Sequence, residues 1–377
     1  MRSGQYIKQA SGYKAFIPNS LPPSPPIQIA DGIQHLLSEA DAALGRLDMM
    51  GYLVPNLDYI IAMYVRKEAL LSSQIEGTQA SLEDVFDYES DVPISNTDDV
   101  KEVVHYIQAL NHGMERLKEF PMSIRLIKEI HEILLSGTRG HEKNPGELRK
   151  SQNWIGSPGS TLSNATFVPP PPQDAMDAMS NLEKYLHADS DLPRLINCAL
   201  IHYQFETIHP FLDGNGRVGR LLITFFLYWK EALNYPLLYL SLYFKLHRQE
   251  YYDRLNLVRD KGDFEQWIAF FLKGITWTAD SAVRTVKAIL LLQEQHKKIL
   301  IEKKVSTPHA IALLDYLIQK PHVSIAEIAK RLDVSYSTAK ILAKQLHDFE
   351  ILKEVTGKKR DKRYTYWEYL ALLSEGT

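Results

Sequence analysis

Apolar residues recur at three- and four-residue spacing along most of this chain, the period of helices with one buried face. The first such stretch, IQHLLSEADAALGRLDMM, follows Asp31. A second, LDYIIAMYVRKEALLSSQI, begins after Asn56, which is suited to cap it, and stops near Gly77. VKEVVHYIQALNHGMERL and SIRLIKEIHEILLSG predict two more, the latter closed by its C-terminal glycine. The acidic stretch SLEDVFDYESDVPISNTDD between the second and third reads as a turn-rich connection. After the prolines at 169–172 the helical period resumes in AMDAMSNLEKYLHAD, LPRLINCALIHYQFETI, GRVGRLLITFFLYWKEAL, QEYYDRLNLVRDKG and a long run from Phe264 to Lys298.

Two stretches break the pattern. IPNSLPPSPPIQ, near the start, holds five prolines and cannot form an interior helix or central strand, so the first ~28 residues are expected to form an extended arm. GELRKSQNWIGSPGSTLSNATFVPPPP sets two short β-prone runs, Asn153 to Ile155 and Thr166 to Val168, among Gly, Ser, Pro and Asn, the pattern of a β-hairpin. The last ~75 residues read helix, helix, turn, helix and hairpin, the order of a winged helix-turn-helix. A mainly α protein in three parts follows: a helical region over 1–115, a core over 116–290 and a winged-helix-like unit over 291–377.

Composition narrows the class. Of 377 residues, 45% are apolar and 24% charged, which suits a folded globular chain. Lys and Arg number 43 against 46 Asp and Glu, so any nucleic-acid role must come from a local patch. The single cysteine, Cys198, excludes an intrachain disulfide and a cysteine-based zinc cluster, and its setting reads as a helix interior. There is no apolar N-terminal leader, and the longest greasy run, Leu221 to Trp229, is too short to span a membrane. A cytoplasmic protein with no membrane partner is expected.

One segment carries chemistry: IHPFLDGNGRVGRLL, Ile208 to Leu222. Pro210 disfavours helical geometry at His209, so one helix ends there and the next begins around Gly216. In the loop between them, Gly214, Asn215 and Gly216 let successive N–H groups point into one concavity, to which the amides of the following helix start add. Arg217 and Arg220 stand three residues apart on one face, where two guanidinium forks can converge. Positive side chains at a helix N-terminus oppose its dipole, and a bound polyphosphate would give them a purpose. Asp213 is a hard oxygen ligand suited to Mg²⁺, and His209 is the nearby group able to take a proton near neutrality. The plain alternative is a glycine-rich turn with an exposed arginine pair.

HPFLDGNGRVGR matches the pattern HPFx(D/E)GNGRxxR of the Fic (filamentation induced by cAMP) family at every fixed position, and the chain resembles that family from about Asp31 to Lys287. The resemblance implies a helical Fic-type core with a β-hairpin flap and transfer of AMP from ATP to a Ser, Thr or Tyr hydroxyl of target proteins. It implies that His209 deprotonates that hydroxyl, that Asp213 holds Mg²⁺, that Gly214, Asn215, Gly216 and Arg217 bind phosphate oxygens and that Arg220 takes the γ-phosphate. Val218 and Gly219 fall within the same ATP-binding stretch.

SSQIEG resembles the family's inhibitory pattern (S/T)xxxE(G/N), with Ser72, Glu76 and Gly77 at the fixed positions; Glu76 would then neutralise Arg220 and occupy the γ-phosphate site. The stretch from Trp154 to Val168 resembles the flap on which a target docks as an added strand. QEYYDRLNLVRDKG resembles the family's helix whose tyrosine lines the adenine pocket, which implies that role for Tyr252, with Tyr251 as the alternative and core packing open for either, while His202 reads as a packed, hydrogen-bonded residue.

Other readings stay open. The basic tip Lys358, Lys359, Arg360, Lys362 and Arg363 could lie along a duplex, yet from Ser306 the chain counts 11 Lys and Arg against 9 Asp and Glu, modest for a DNA binder. A DNA- or partner-binding regulator with a nucleotide-sensing pocket is therefore the rival class, with DNA not favoured and a homodimer open. A Fic enzyme that removes AMP is a third reading. Autoadenylylation is expected of the favoured one.

Overall fold

The computed structural model describes residues 1–54, 57–90, 92–157, 159–356 and 362–374. Asn56, the expected cap, and Lys358, Lys359 and Arg360 of the basic tip lie outside the described residues.

The chain opens with a hairpin where an extended arm was expected. Strands β1 (Gly4–Lys8) and β2 (Lys14–Pro18) pair antiparallel, with Tyr6 opposite Phe16. The prolines that suggested an arm begin only at Pro18, and ahead of them QYIK and KAFI flank a tight turn containing Gly12 at φ 95°.

Helices α1 (Asp31–Leu53), α2 (Leu57–Ile75), α3 (Leu82–Glu89), α4 (Thr97–Arg116) and α5 (Ile124–Leu135) follow. After an irregular stretch come α6 (Pro172–His187), α7 (Arg194–Ile208), α8 (Asn215–Trp229), α9 (Ser241–Leu246), α10 (Arg248–Lys261) and α11 (Phe264–Glu302). Helix α3 lies in the acidic stretch expected to be turns. Ser81 and Asp84 form a reciprocal capping box there, and acidic residues in the first turn favour a helix start. Helix α11 runs 39 residues without interruption through residue 290, packing along α1.

The core centres on α7, which is buried on every side, and on α8, which crosses α4 so closely that a Cβ on Gly113 would collide with the Phe225 ring. Cys198 is buried within α7. The stretch expected to form the flap hairpin closes through one bridge, Ile155 to Phe167, with hydrogen bonds of 2.8 and 3.0 Å. Beside it the Phe16 amide donates to the Val168 carbonyl at 2.9 Å, so β2 borders this segment.

The C-terminal unit comprises α12 (Pro308–Gln319), β3 (His322–Ser324), α13 (Ile325–Leu332), α14 (Tyr336–Asp348), β4 (Lys353–Glu354), β5 (Arg363–Thr365) and α15 (Trp367–Ser374). Its three strands form an antiparallel sheet in the order β3-β5-β4. The unit packs on α2 and α11. His296 of α11 bonds to Tyr366 and Glu368 at 2.9 and 3.0 Å, and Arg363 donates to the Ser90 carbonyl at 3.1 Å. No helix among the described residues is long and apolar enough to cross a membrane.

Enclosed between α4, α9 and the C-terminal unit, α2 buries charged and polar side chains as well as apolar ones. Glu68 accepts hydrogen bonds from the Ser241 hydroxyl, the Ser241 amide at 3.2 Å and the Tyr106 hydroxyl at 3.2 Å. Burial nevertheless pushes its carboxyl up to about 7, the hydrogen bonds and Arg220 opposing. A raised carboxyl pKa means the folded state holds a proton that the unfolded chain releases at lower pH. Stability is then lost as pH rises from the ordinary carboxylate range to about 7. Glu68→Gln should remove that loss: its melting temperature should pull ahead of the parent's between pH 5 and 7 and keep a constant lead above, as thermal unfolding across pH will show.

Candidate active site

Helix α7 ends at His209, which adopts the left-handed conformation (φ 50°, ψ 59°) while its amide still bonds to the Phe205 carbonyl at 3.0 Å. Pro210 turns the chain away, and Phe211 is fully buried, stacked on His131 with ring centroids 3.7 Å apart. The Asn215 side chain closes the loop by accepting from the Phe211 amide at 2.8 Å and donating to the Phe211 carbonyl at 2.9 Å. His131 completes it from α5. Its Nδ1 accepts from the Gly146 amide at 2.8 Å, so Nε2 carries the proton and donates to the Asp213 carbonyl at 3.0 Å. Burial keeps this imidazole neutral, with a pKa lowered to about 4.

Gly214, at φ 73°, provides the left-handed step that starts α8, a position costly for any residue with a Cβ. No side chain caps this helix, so its start is an uncapped set of backbone donors. A Cβ on Gly216 would meet Glu76 Oε1, so a side chain there would displace the Glu76 carboxylate.

Glu76 follows the end of α2, with Gly77 turning the chain at φ 105°. Its Oε1 accepts from Arg220 Nη2 at 2.6 Å. Arg220 is 2% exposed and also donates to the Ser72 hydroxyl at 2.8 Å and the Ser72 carbonyl at 3.0 Å. Surrounding protein raises the Glu76 pKa, but the Arg220 charge and hydrogen bond outweigh it, and the carboxyl stays below its ordinary range. Ser72, Glu76 and Arg220, 148 residues apart in sequence at the widest, thus form one cluster.

Arg217 is buried beside Glu102 Oε2 at 3.6 Å and Asp213 Oδ1 at 3.9 Å, and neither its Nε nor its Nη1 has a hydrogen-bond partner. Glu102 in turn accepts from Thr78 Oγ1 and Arg139 Nε, both at 2.9 Å. Asp213 accepts from the Gly214 amide at 2.6 Å and keeps its side chain 46% exposed. The His209 ring packs inside with Nδ1 unpartnered; burial, Arg149 and Arg259 lower its pKa to about 3, so it is neutral and able to accept a proton.

The expected residues therefore fall into groups. Glu76 meets Arg220 and Gly216, Arg217 lies beside Asp213, Asp213 holds the Gly214 amide, and His209 is close enough to Glu76 to bear on its charge, so these residues form one cluster. Asn215 belongs to it through its backbone, since its side chain is committed to the loop. The Val218 side chain is fully buried and its amide bonds to the Gly214 carbonyl at 3.0 Å. Gly219 is likewise a packing residue, where a Cβ would strike Glu206 and where the carbonyl accepts from His202 at 2.9 Å. His202 also bonds to the Tyr251 hydroxyl at 2.9 Å, so both are core. Tyr252 is half-buried under Arg248 and close enough to Glu76 to feel its charge.

Sequence reasoning passed over Glu102, His131, Arg149 and Glu206. None stands at a diagnostic spacing, although Glu206 is one helical turn before His209. Its buried carboxyl is pushed up to about 7, and Oε1 has no partner. Asn215→Ala would leave the buried Phe211 amide without a partner, its carbonyl still accepting from Asn153 Nδ2; chemical denaturation should show a loss of about 1–3 kcal/mol.

The Fic/DOC family N-terminal profile matches residues 34–115 and the Fic/DOC family profile residues 121–227, together half of the chain. Proteins named "Protein adenylyltransferase Fic" from Culex quinquefasciatus and Aedes aegypti are 31% and 32% identical over 171 residues, 45% of this chain and 29% of theirs. The match thus spans under a third of those relatives. A Fic family protein from Desulfovibrio desulfuricans superposes with a TM-score of 0.60 at 22% identity, covering 90% of this chain and 97% of its own. A Fic-domain-containing signaling protein from Bacteroides thetaiotaomicron gives 0.52 at 18% identity, covering 68% and 97%. With both profiles matching and the loop from His209 to Arg220 carrying the family's pattern, the chain belongs to the Fic/DOC family.

Proposed function

We propose that this chain is a protein adenylyltransferase, moving AMP from ATP to a Ser, Thr or Tyr hydroxyl of a protein target, itself included, and that Glu76 restrains it. The observation that carries this reading is the 2.6 Å pair between Glu76 and Arg220, set over the open start of α8 and beside a neutral His209. A sensor needs the cradle alone. A neutral imidazole at its edge adds the means to activate a hydroxyl.

In the reaction, the first-turn amides of α8 and the unpartnered Nε and Nη1 of Arg217 receive phosphate oxygens. Negative phosphates raise the basicity of His209, which takes the proton of the incoming hydroxyl. The oxygen attacks the α-phosphorus, the bond to the β-phosphate oxygen breaks, and pyrophosphate leaves. Catalysis here is mainly positioning and charge stabilisation.

Mg²⁺ fits the site. Asp213 offers a half-exposed carboxylate, a hard oxygen donor, at the start of α8. When bound, it would neutralise charge on the triphosphate, held to the protein by Asp213.

Glu76 and a γ-phosphate would compete for Arg220. With the carboxylate in place, the triphosphate is displaced from the pose in which the α-phosphorus faces His209. Tyr252 would flank the adenine, and the segment from Trp154 to Val168 would carry the target strand. This assigns 1–115 to regulation, 116–290 to chemistry and 291–377 to a winged-helix unit that packs on α2 and α11. An ATP-consuming modifier of proteins goes with a cytoplasmic setting.

The test follows label from the α-phosphate of ATP into protein, with Mg²⁺ present. Wild type should label weakly, Glu76→Gly strongly, and Glu76→Gly combined with His209→Ala not at all. Equal labelling of the first two would remove the restraint by Glu76, while no label in any would leave the sensor reading.

A further inference from the structure

Resting on the AMP-transfer reading, we infer that Arg149 is a positioning residue that ties the His209 turn to both ends of the flap through backbone carbonyls, so that strand docking and base placement are mechanically linked.

Arg149 is 3% exposed and makes no ion pair with a carboxylate among the described residues, an arrangement costly enough to need a reason. Its donors go to main-chain oxygens. Nε donates to His209 O at 2.9 Å, Nη2 to Ile208 O at 3.4 Å and to Pro170 O, and Nη1 to Ser151 O at 3.3 Å. Its own amide donates to Pro210 O at 2.9 Å. Ser151 enters the flap, Pro170 leaves it, and Ile208 to Pro210 form the turn that carries the base. One guanidinium therefore joins three separate pieces of chain.

The turn needs such a hold. His209 is left-handed, a strained conformation for a residue with a Cβ, and surroundings must enforce it. The carbonyls at the end of α7 also carry the negative end of the helix dipole, which a planar five-donor fork satisfies where an ammonium could reach only part. Asn153 supports the same turn, its Nδ2 donating to Phe211 O at 2.8 Å and His209 O at 3.4 Å. Arg259, the other buried arginine nearby, grips α7 earlier, at Thr207 and Glu206, and lies over the Phe167 ring at 3.8 Å. It does not hold the turn. The nucleotide cradle, by contrast, belongs to α8 and has no bond to Arg149.

The experiment uses the full chain carrying Glu76→Gly, with Arg149→Met, Arg149→Lys or Asn153→Ala added. Label transfer is measured against ATP concentration and expressed per molecule able to bind a fluorescent ATP analogue. Arg149→Met should lower kcat by about 10- to 100-fold while KM for ATP stays within about two-fold, because a small displacement of the base costs turnover but not nucleotide binding. Arg149→Lys should recover little, since one ammonium cannot span turn and flap. Asn153→Ala should show a smaller fall in kcat with the same unchanged KM. Unchanged kcat in Arg149→Met, full recovery in Arg149→Lys, or kcat and nucleotide affinity falling together would each overturn the inference. Should Arg149→Met not fold, an unaltered kcat in Asn153→Ala overturns it. Absence of transfer in the Glu76→Gly parent itself would instead reject the AMP-transfer reading, and this role with it.

Discussion

The Arg220 guanidinium lies inside the protein, where a cation without a partner is strongly disfavoured. Ser72 supplies a hydroxyl and a carbonyl, and Glu76 supplies the charge, all from one turn of α2 and the residue beyond it. That requirement fixes α2 against α8 and sets how close the N-terminal region comes to the cradle. It also makes the cluster convertible. Any anion that can offer oxygens to Arg220 competes with Glu76 for the same donors, so the interaction that completes the resting fold is the one a polyphosphate would replace.

The surrounding charge favours such a replacement. Arg149 and Arg259 are buried beside His209 and bond to neutral groups, Arg149 to carbonyls and Arg259 to carbonyl, hydroxyl and ring, while buried Arg217 lies 3.6 and 3.9 Å from the Glu102 and Asp213 carboxylates and leaves Nε and Nη1 without hydrogen-bond partners. Burial first, and then the Arg149 and Arg259 charges, depress the His209 pKa, and the three guanidinium groups make an interior that favours negative charge. Burial and the two neighbouring charges keep the His209 imidazole neutral.

Helix α2 links this chemistry to the C-terminal unit. One side of it meets α4 and α9, another meets α12, and its far end carries Ser72 and Glu76. A helix enclosed in this way needs apolar residues around most of its circumference, and its polar residues must find partners, as Glu68 does with Ser241 and Tyr106. Arg363 at Ser90 and His322 beside Phe86 extend the contact to the α2–α3 region. The position of Glu76 therefore depends on packing from α4, α8 and α9 as well as from the C-terminal unit.

The sequence by itself determined the helical character, because three- and four-residue spacing is written locally, and the loop from His209 to Arg220, because its proline, glycines and arginines each impose a local geometry. Local chemistry also marked the end of α7, through the proline after His209. It misjudged the first residues, where five prolines drew attention from a hairpin just ahead of them, and the 81–99 stretch, where acidic residues that looked like turns cap α3. What only the tertiary structure decided was which side chains the loop meets. That Asn215 holds Phe211, that Val218 faces the core, that Tyr251 is buried and Tyr252 is not, and that Arg149 grips the His209 turn all depend on contacts between segments far apart in the chain. Periodicity reports which face of an element is buried; it cannot report what lies against that face, because the partner is chosen by packing.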